Sequence, residues 1–309
     1  MKFGLILMFD AGEGQTPATV YEQSIEYAKL AEHANCSTLW LTEHHGKRNR
    51  LCPSIPLMMS YLAQHTKLEL GAATILLSHY TPRHIAEEVG MLTNMYPHRF
   101  SFGFARGGNG EVELHDGGDE NLARSTMMQH LDELLSLLSG TVKSEIYPKL
   151  TRSIPLFIAS RDDEALRYAA EHDMGIMAGH KWSLSEVEDT MNRYRRYHRQ
   201  NKTPQTVLSR YFLIKDDNEK AIRTVIEDTA QRKAKNNKSN ENAKNPLRPE
   251  LLDSESLVGN LEKAKKMLQK YRDIGITDLA LRQATFNTSD TMESLFKLAP
   301  LLQNEEKKQ

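Results

Sequence analysis

The feature that most constrains the fold is a regular alternation of short apolar segments and helical patterns along the 309 residues. Short apolar runs bounded by turn residues are typical of buried strands, and apolar positions spaced three and four apart predict helices. The expected strands are residues 2–7, 38–42, 68–77, 99–106, 154–160, 175–179, 207–215 and 276–282. The expected helices are residues 21–35, 55–65, 82–96, 123–139, 162–172, 184–200, 219–233, 257–271 and 291–302.

This alternation predicts an α/β fold with parallel strands, because each helical crossover is long enough to return the chain to the same end of the sheet. Eight strand–helix units favour a (β/α)8 TIM barrel that takes residues 1–309 as a single domain. A doubly wound open sheet is the alternative, since the order of the strands cannot be read from sequence. We expect an insertion between strands four and five (107–153) and a mobile, solvated polar loop at 232–250, after the seventh helix.

Composition excludes several classes of protein. The formal net charge is −1, from 40 basic and 41 acidic residues, which gives no electrostatic footprint for nucleic acid or an anionic membrane. The apolar runs are shorter than the ~20 residues that a membrane span needs. The first residues do not read as a secretory signal, and Cys36 and Cys52 make neither a disulfide framework nor a thiolate metal cluster. A cytoplasmic protein is expected.

The second expected strand ends in three ionisable residues, Glu43, His44 and His45. In a barrel the carboxyl ends of the strands gather on one face, and the chemistry of such folds lies there. Neighbouring residues of a strand point to opposite faces, so His44 and His45 cannot easily ligate one ion together. The residues therefore do not predict a metal site, and the group of Glu43, His44 and His45 is a candidate for acid–base chemistry.

Two other strand ends suggest a site for an anion. Arg106 closes the fourth strand and is followed by Gly107 and Gly108, so side chain and backbone can approach a phosphate together. Ser160 lies where the fifth strand meets a helix whose first N–H groups are free to bind an anion. The P-loop and Rossmann glycine patterns are missing from the sequence. These features together favour a cofactor that carries a phosphate.

Several segments, in this order, carry a family resemblance: KFGL, TLWLTEHHG, LELGAATILLSHYTPRHIAEEVGMLTNMYPHRFSFGFARG and LVGNLEKAKKMLQKYRDIGITDLAL. With them the chain resembles the bacterial luciferase-like family of flavin monooxygenases over essentially its whole length. The resemblance implies a (β/α)8 barrel, usually dimeric, that uses reduced flavin (FMN) or the deazaflavin F420.

The resemblance also assigns roles to residues. It implies that His44 is the catalytic histidine beside the flavin, and that Ala72 and Ala73 lie behind the flavin ring, joined by a cis peptide bond. It implies that Arg106, with Gly107, binds the flavin phosphate.

The resemblance implies that Ser160 and Arg161 lie at a second phosphate-binding turn. Trp182 either lines the flavin pocket or packs under the sixth strand. Glu88 lies on the helix that forms the subunit interface in luciferases. Two departures stand out: Ala105 occupies the position of a reactive cysteine in luciferase catalytic subunits, and residues 107–153 are fewer than in luciferases, which puts an aldehyde substrate in doubt.

The function expected from this resemblance is that of a two-component monooxygenase. Reduced FMN (FMNH2), supplied by a separate flavin reductase, would react with O2 to a C4a-peroxyflavin and oxygenate a small organic substrate such as an aldehyde, a ketone or a natural-product intermediate. The alternatives are F420-dependent hydride transfer and a non-catalytic flavin-binding partner subunit. The expected assembly is a homodimer or heterodimer formed through the first three helices.

Overall fold

The computed structural model describes residues 1–12, 14–108, 117–141, 145–198, 204–235, 249–285 and 287–303. Its strands are β1 Lys2–Leu7, β2 Thr38–Leu41, β3 Glu69–Leu76, β4 Phe100–Ala105, β5 Leu156–Ile158, β6 Gly175–Ala178, β7 Thr206–Ile214, β8 Leu257–Gly259 and β9 Asp278–Gln283. Its helices are α1 Pro17–His33, α2 Ile55–Ala63, α3 Pro82–Met95, α4 Glu120–Ser139, α5 Asp163–Glu171, α6 Leu184–Tyr197, α7 Asn218–Lys235, α8 Pro249–Glu255, α9 Leu261–Asp273 and α10 Thr288–Gln303. Among the described residues, no helix is long and apolar enough to cross a membrane.

The strands close into a parallel barrel. Strands β1 to β6 pair in sequence order, β6 pairs with β7, and β9 lies between β7 and β1. The short strand β8 stands outside the ring and pairs with the end of β7. The predicted (β/α)8 barrel is confirmed, and the open sheet is wrong because β6–β7 and β9–β1 pairing leaves no edge in the ring.

Three of the early helices begin with a hydroxyl cap and a proline in the first turn. The side chains of Thr16, Ser54 and Thr81 accept hydrogen bonds from backbone N–H groups at the starts of α1, α2 and α3. Proline suits this position because its missing N–H would have no partner within the helix. The first helix therefore begins at Pro17, four residues before the predicted start at 21.

A separate apolar cluster fills the interior of the barrel. The strands contribute inward-facing side chains to it: Ile6, Trp40, Phe157, Met177, Val207 and Ala280, with Met8 above them. On β4 the interior position is Gly103, where a Cβ would lie 2.3 Å from Met177 Sδ. On β3, Gly71 leaves room for the indole of Trp40. The barrel is thus a packed core rather than a pore, as in other folds of this type.

Two predicted elements differ in the structure. Residues 257–259 are not helical, as predicted, but form β8, and α9 begins at Leu261 after Asn260 caps it. The predicted polar loop at 232–250 is shorter, because α7 continues to Lys235 and α8 starts at Pro249. Its remainder, 236–248, lies outside the described residues, as do 109–116 and 142–144 of the predicted insertion.

Candidate active site

The floor of the site is the top of the interior cluster. Ala73 and Ala159 pack against this cluster but are only partly buried, and Met8 lies beside them. Small side chains at this level leave the barrel open above the floor, at the carboxyl ends of the strands. A flat apolar ligand can therefore rest there against carbon.

His44 faces this opening. Trp40 points into the barrel; β2 ends at Leu41, but Glu43 turns to the outer side to contact Leu76, so the alternation continued past the strand places Thr42 and His44 on the side of Trp40. The backbone N–H of His44 donates to the carbonyl of Cys52 (2.9 Å), which closes the loop that follows β2. His44 is partly exposed, as acid–base chemistry on a bound ligand requires.

Arg50 is a neighbour of His44 that the sequence did not indicate. Its Nη1 lies 3.2 Å from His44 Nε2, and its Nε lies 3.5 Å from Asp10 Oδ1. A guanidinium can only donate, so this hydrogen bond uses the lone pair of a neutral imidazole whose proton is on Nδ1. Arg50 therefore selects the tautomer of His44 in this structure.

Glu43 and His45 point to the outer side of β2. Glu43 is buried, and one of its oxygens accepts from the N–H of Leu76 (3.1 Å) and lies 3.1 Å from Nε2 of His45. The ring of His45 stacks on that of His79, with centroids 4.4 Å apart. These contacts tie β2 to the end of β3 behind the site.

The cis peptide bond lies one residue later than the resemblance implied. It joins Ala73 to Thr74, not Ala72 to Ala73. The β3–β4 register shifts at the same place, between Ala72 and Ile75. Ala72 is fully buried in the outer core, whereas Ala73 is partly exposed at the floor. Of the two predicted flavin contacts on β3, only Ala73 thus lies at the floor of the opening.

A chain of polar contacts connects the predicted phosphate residues at the ends of β4 and β5. Arg106 donates to Glu120 Oε2 (2.8 Å), and Arg124, one turn further along α4, lies 3.7 Å from Asp162 Oδ2. Asp162 caps α5, and its own N–H donates to Ser160 Oγ (3.1 Å). The hydrogen bond and charge of Arg106 lower the pKa of Glu120. Two cations and a helix N-terminus therefore share one rim.

The two arginines of this rim suit a phosphate, whereas the start of α5 is already capped by Asp162 and carries Asp163 and Glu164 in its first turn. Gly107 has φ +99°, a conformation open mainly to glycine, so its backbone turns sharply just after Arg106. Arg106 forms an ion pair with the exposed carboxylate of Glu120. An incoming phosphate can replace that carboxylate. Sequence reasoning missed Arg124, because its place beside α5 depends on how α4 packs.

Arg161 and Trp182 contact each other instead of the chain of polar residues above. The guanidinium of Arg161 lies over the indole of Trp182 (5.0 Å) and pairs with Glu186 in the first turn of α6. The indole also packs against Gly179, at the end of β6. Trp182 is partly buried at the edge of the opening, so its role in a flavin pocket stays a prediction.

Arg210 holds the β6 side of the opening. This buried side chain donates to the carbonyls of Gly179, Trp182 and Glu255 at 2.9–3.2 Å and lies 3.8 Å from the Glu255 carboxylate. The same carboxylate accepts from the N–H of Leu184 (2.6 Å), at the start of α6. Arg210 thus ties the loop after β6 to the end of α8.

Known proteins share this architecture. An uncharacterised Bacillus subtilis protein, YwcH, is 25% identical over 224 residues, which cover 68% of this chain and 67% of that protein. Two further curated relatives are matched over only 58% and 32% of their own lengths. The oxygenating constituent of 3,6-diketocamphane monooxygenase from Pseudomonas putida, solved in complex with FMN, superposes with a TM-score of 0.77 at 15% identity, over 99% of this chain and 98% of that one.

An F420-dependent secondary alcohol dehydrogenase, solved with an F420–acetone adduct, superposes with a TM-score of 0.78 at 14% identity, over 98% of this chain and 99% of that one. At 14–15% identity, the likeness of this chain to these two structures shows a common fold and does not extend to activity. The sequence model of the luciferase-like monooxygenases matches residues 1–278. A match over this much of the chain establishes that the protein belongs to the luciferase-like monooxygenase family.

Proposed function

We propose that this protein is the oxygenating component of a two-component monooxygenase, which takes reduced FMN from a separate reductase and uses O2 to oxygenate a small organic substrate. The observation that carries the proposal is the combination at one barrel mouth of His44 above an apolar floor and the Arg106–Arg124 rim. The proposed substrate is an aldehyde, a ketone or a natural-product intermediate.

The residues of the chain would divide the work as follows. Reduced flavin, when bound, supplies the electrons that activate O2. Arg106 and Arg124, with the backbone of Gly107, would bind its phosphate, and Ala73 would support its ring. His44, held by Arg50 at Nε2, would donate and take back a proton at Nδ1 beside the reacting atoms. The closed barrel below would exclude water from that side.

Comparison of reduced flavin with F420 tests the choice of cofactor. We expect anaerobic titration with FMNH2 to quench the tryptophan fluorescence at micromolar concentrations and F420 to leave it unchanged. With FMNH2, a reductase and a panel of aldehydes, ketones and organic acids, we expect substrate-dependent O2 uptake with product formation. Binding of F420 but not of FMNH2 would point to hydride transfer instead. Flavin binding with no product from any member of the panel would favour a partner subunit without chemistry.

Arg106→Gln is expected to weaken FMNH2 binding by about 10- to 100-fold, the value of a charge-assisted hydrogen bond of roughly 1.5–3 kcal/mol. Reduced riboflavin lacks the phosphate, so its affinity is expected to stay the same. Both dissociation constants are measured by anaerobic fluorescence titration. Glu120→Gln is the matched control: it removes the carboxylate that competes for Arg106 and is expected not to weaken FMNH2. Equal losses for both flavins in Arg106→Gln would contradict a phosphate role.

We also propose a dimer through α2 and α3. Three large apolar side chains are exposed there, Leu57 (69%), Met91 (52%) and Met95 (49%), and Met91 and Met95 lie one turn apart on α3. Clustered exposed apolar side chains mark interaction surfaces. Because a dimer with twofold symmetry buries the same patch from both copies, one substitution affects the interface twice.

Met91→Glu is therefore expected to convert the dimer to a monomer, since it would bury two unpaired carboxylates at the interface. Light scattering coupled to size exclusion measures the molar mass. Met292→Glu on α10, where Met292 is also exposed (43%), is the matched control and is expected to stay dimeric. Dissociation by Met292→Glu and not by Met91→Glu would assign the interface to the α10 face.

A further inference from the structure

A second group of cations faces the barrel mouth, apart from the phosphate rim. Ala280 points into the barrel, so alternation along β9 brings Arg282 to the same side. Val207 points inward on β7, which places Tyr211 likewise. The guanidinium of Arg282 lies 5.4 Å from the ring centroid of Tyr211. The imidazole of His180, just beyond β6, meets the same ring edge-to-face at 5.0 Å.

The guanidinium of Arg282 is available to bind a ligand. Within the described ranges this guanidinium forms no ion pair and no side-chain hydrogen bond, and it lies over the face of Tyr211. An arginine stacked on an aromatic ring is held in place while its N–H groups stay available as donors. Its partial exposure leaves them accessible from the opening.

Four positively charged side chains act on His180. Burial, and then the positive charges of Arg282, Lys181, Arg210 and Arg50, hold the pKa of His180 well below its ordinary value. Two of these cations pair with carboxylates, Arg210 with Glu255 (3.8 Å) and Arg50 with Asp10 (3.5 Å), whereas Arg282 lies over an aromatic ring. His180 is therefore neutral near pH 7, and a locally positive mouth belongs to a chain whose formal net charge is −1. Such a concentration of charge attracts anions.

The phosphate of a flavin cannot satisfy both groups of cations. Around the ring β1, β2, β3, β4, β5, β6, β7, β9, strand β9 with Arg282 is diametrically opposite β4, which leads to Arg106. Strand spacing and tilt give a barrel about 15 Å across. One phosphate at the β4–β5 rim thus leaves Arg282 for a different anion.

We propose that Arg282, supported by Tyr211, binds the anionic head group of an organic acid substrate, a carboxylate or a sulfonate. This inference rests on the proposed function, and it names the substrate class of the same site. The head group is bound on the β7–β9 side, and the hydrocarbon part extends over the apolar floor towards His44. Neutral aldehydes and ketones of equal length lack the group that Arg282 recognises.

Calorimetric titration of the full-length protein with three probes tests this subsite: octanoate, octane-1-sulfonate and octan-1-ol. We expect the two anions to bind at least about 10-fold more tightly than the alcohol, and Arg282→Gln to weaken them by about 10- to 100-fold without changing the alcohol. Arg282→Lys keeps the charge and is expected to keep most of the anion affinity. Arg196→Gln, an exposed arginine in the last turn of α6, is the matched control and is expected to match the unsubstituted protein.

Flavin titrations with the same proteins separate this inference from the proposed function. Equal affinity of the unsubstituted protein for octanoate and octan-1-ol would overturn the anion subsite while FMNH2 binding upholds the proposed function. A loss of FMNH2 or riboflavin affinity in Arg282→Gln would also overturn it, by assigning Arg282 to the cofactor. Anion binding through Arg282 in a protein that does not bind FMNH2 would support the subsite and refute the proposed cofactor.

Discussion

Replacing His44 by alanine is expected to lower the rate of substrate oxygenation by about 10²- to 10⁴-fold, the usual contribution of a positioned acid–base side chain. The imidazole faces the mouth above the apolar floor, and Arg50 fixes its tautomer through a 3.2 Å contact. Alanine removes the proton donor but no part of the phosphate rim. FMNH2 affinity is therefore expected to stay the same while product formation, measured with a limiting supply of FMNH2, is lost.

The matched control for this prediction is His45→Gln. His45 is adjacent in sequence but lies on the outer side of β2, where its Nε2 contacts Glu43 at 3.1 Å. The glutamine amide can keep a hydrogen bond to that carboxylate, so near-normal oxygenation is expected. Free imidazole added to His44→Ala is expected to restore part of the rate. Unchanged turnover by His44→Ala would remove His44 from the chemistry.

Arg210→Met is expected to reduce the free energy of unfolding by about 3–5 kcal/mol, the cost of leaving a buried ionic partner alone. Arg210 is 1% exposed and donates to the backbone carbonyls of Gly179, Trp182, Ser209 and Glu255. Methionine has a similar shape but no donor, so each of these carbonyls loses a hydrogen bond and the Glu255 carboxylate loses its cation. Urea unfolding followed by circular dichroism measures the change.

Arg196→Met serves as the comparison for Arg210→Met. Arg196 is exposed in the last turn of α6, at the opposite end of that helix from the loop that Arg210 anchors. A change within about 0.5 kcal/mol, the normal range for a surface position, is expected for it. A loss of the same small size in Arg210→Met would mean that the β6 loop is held by other contacts.

The architecture was readable from the sequence because each strand is a short apolar run and each crossover has helical spacing. The exception is instructive. Leu257 and Val258 continue the apolar pattern of α9 and so resemble its first turn, but Gly259 has φ +153° and Asn260 caps the helix after it. A local pattern does not reveal that these three residues pair with the end of β7.

Parts of the candidate site were also readable. Strand alternation and the family resemblance together singled out His44, and the strand ends singled out Arg106 and Ser160. Arg50 was not predicted, because it reaches His44 only when the loop after β2 folds back on the residues that follow β1. In that arrangement the N–H of Leu51 donates to the carbonyl of Phe9. Arg210 could not be recognised either. A charged side chain on a strand is normally exposed to solvent, whereas that of Arg210 is buried and holds neighbouring loops through hydrogen bonds.

The packed interior of the barrel governs the order in which ligands come and go. Trp40, Phe157 and Met177 block the axis below the floor, so within the described residues the mouth is the way in and the way out. Two ligands that use the same opening bind in a fixed order. The ligand that rests on the floor binds first and dissociates last. A flavin lying on Ala73 would then have to arrive before the substrate that covers it, and the steady-state kinetics would be those of an ordered sequence.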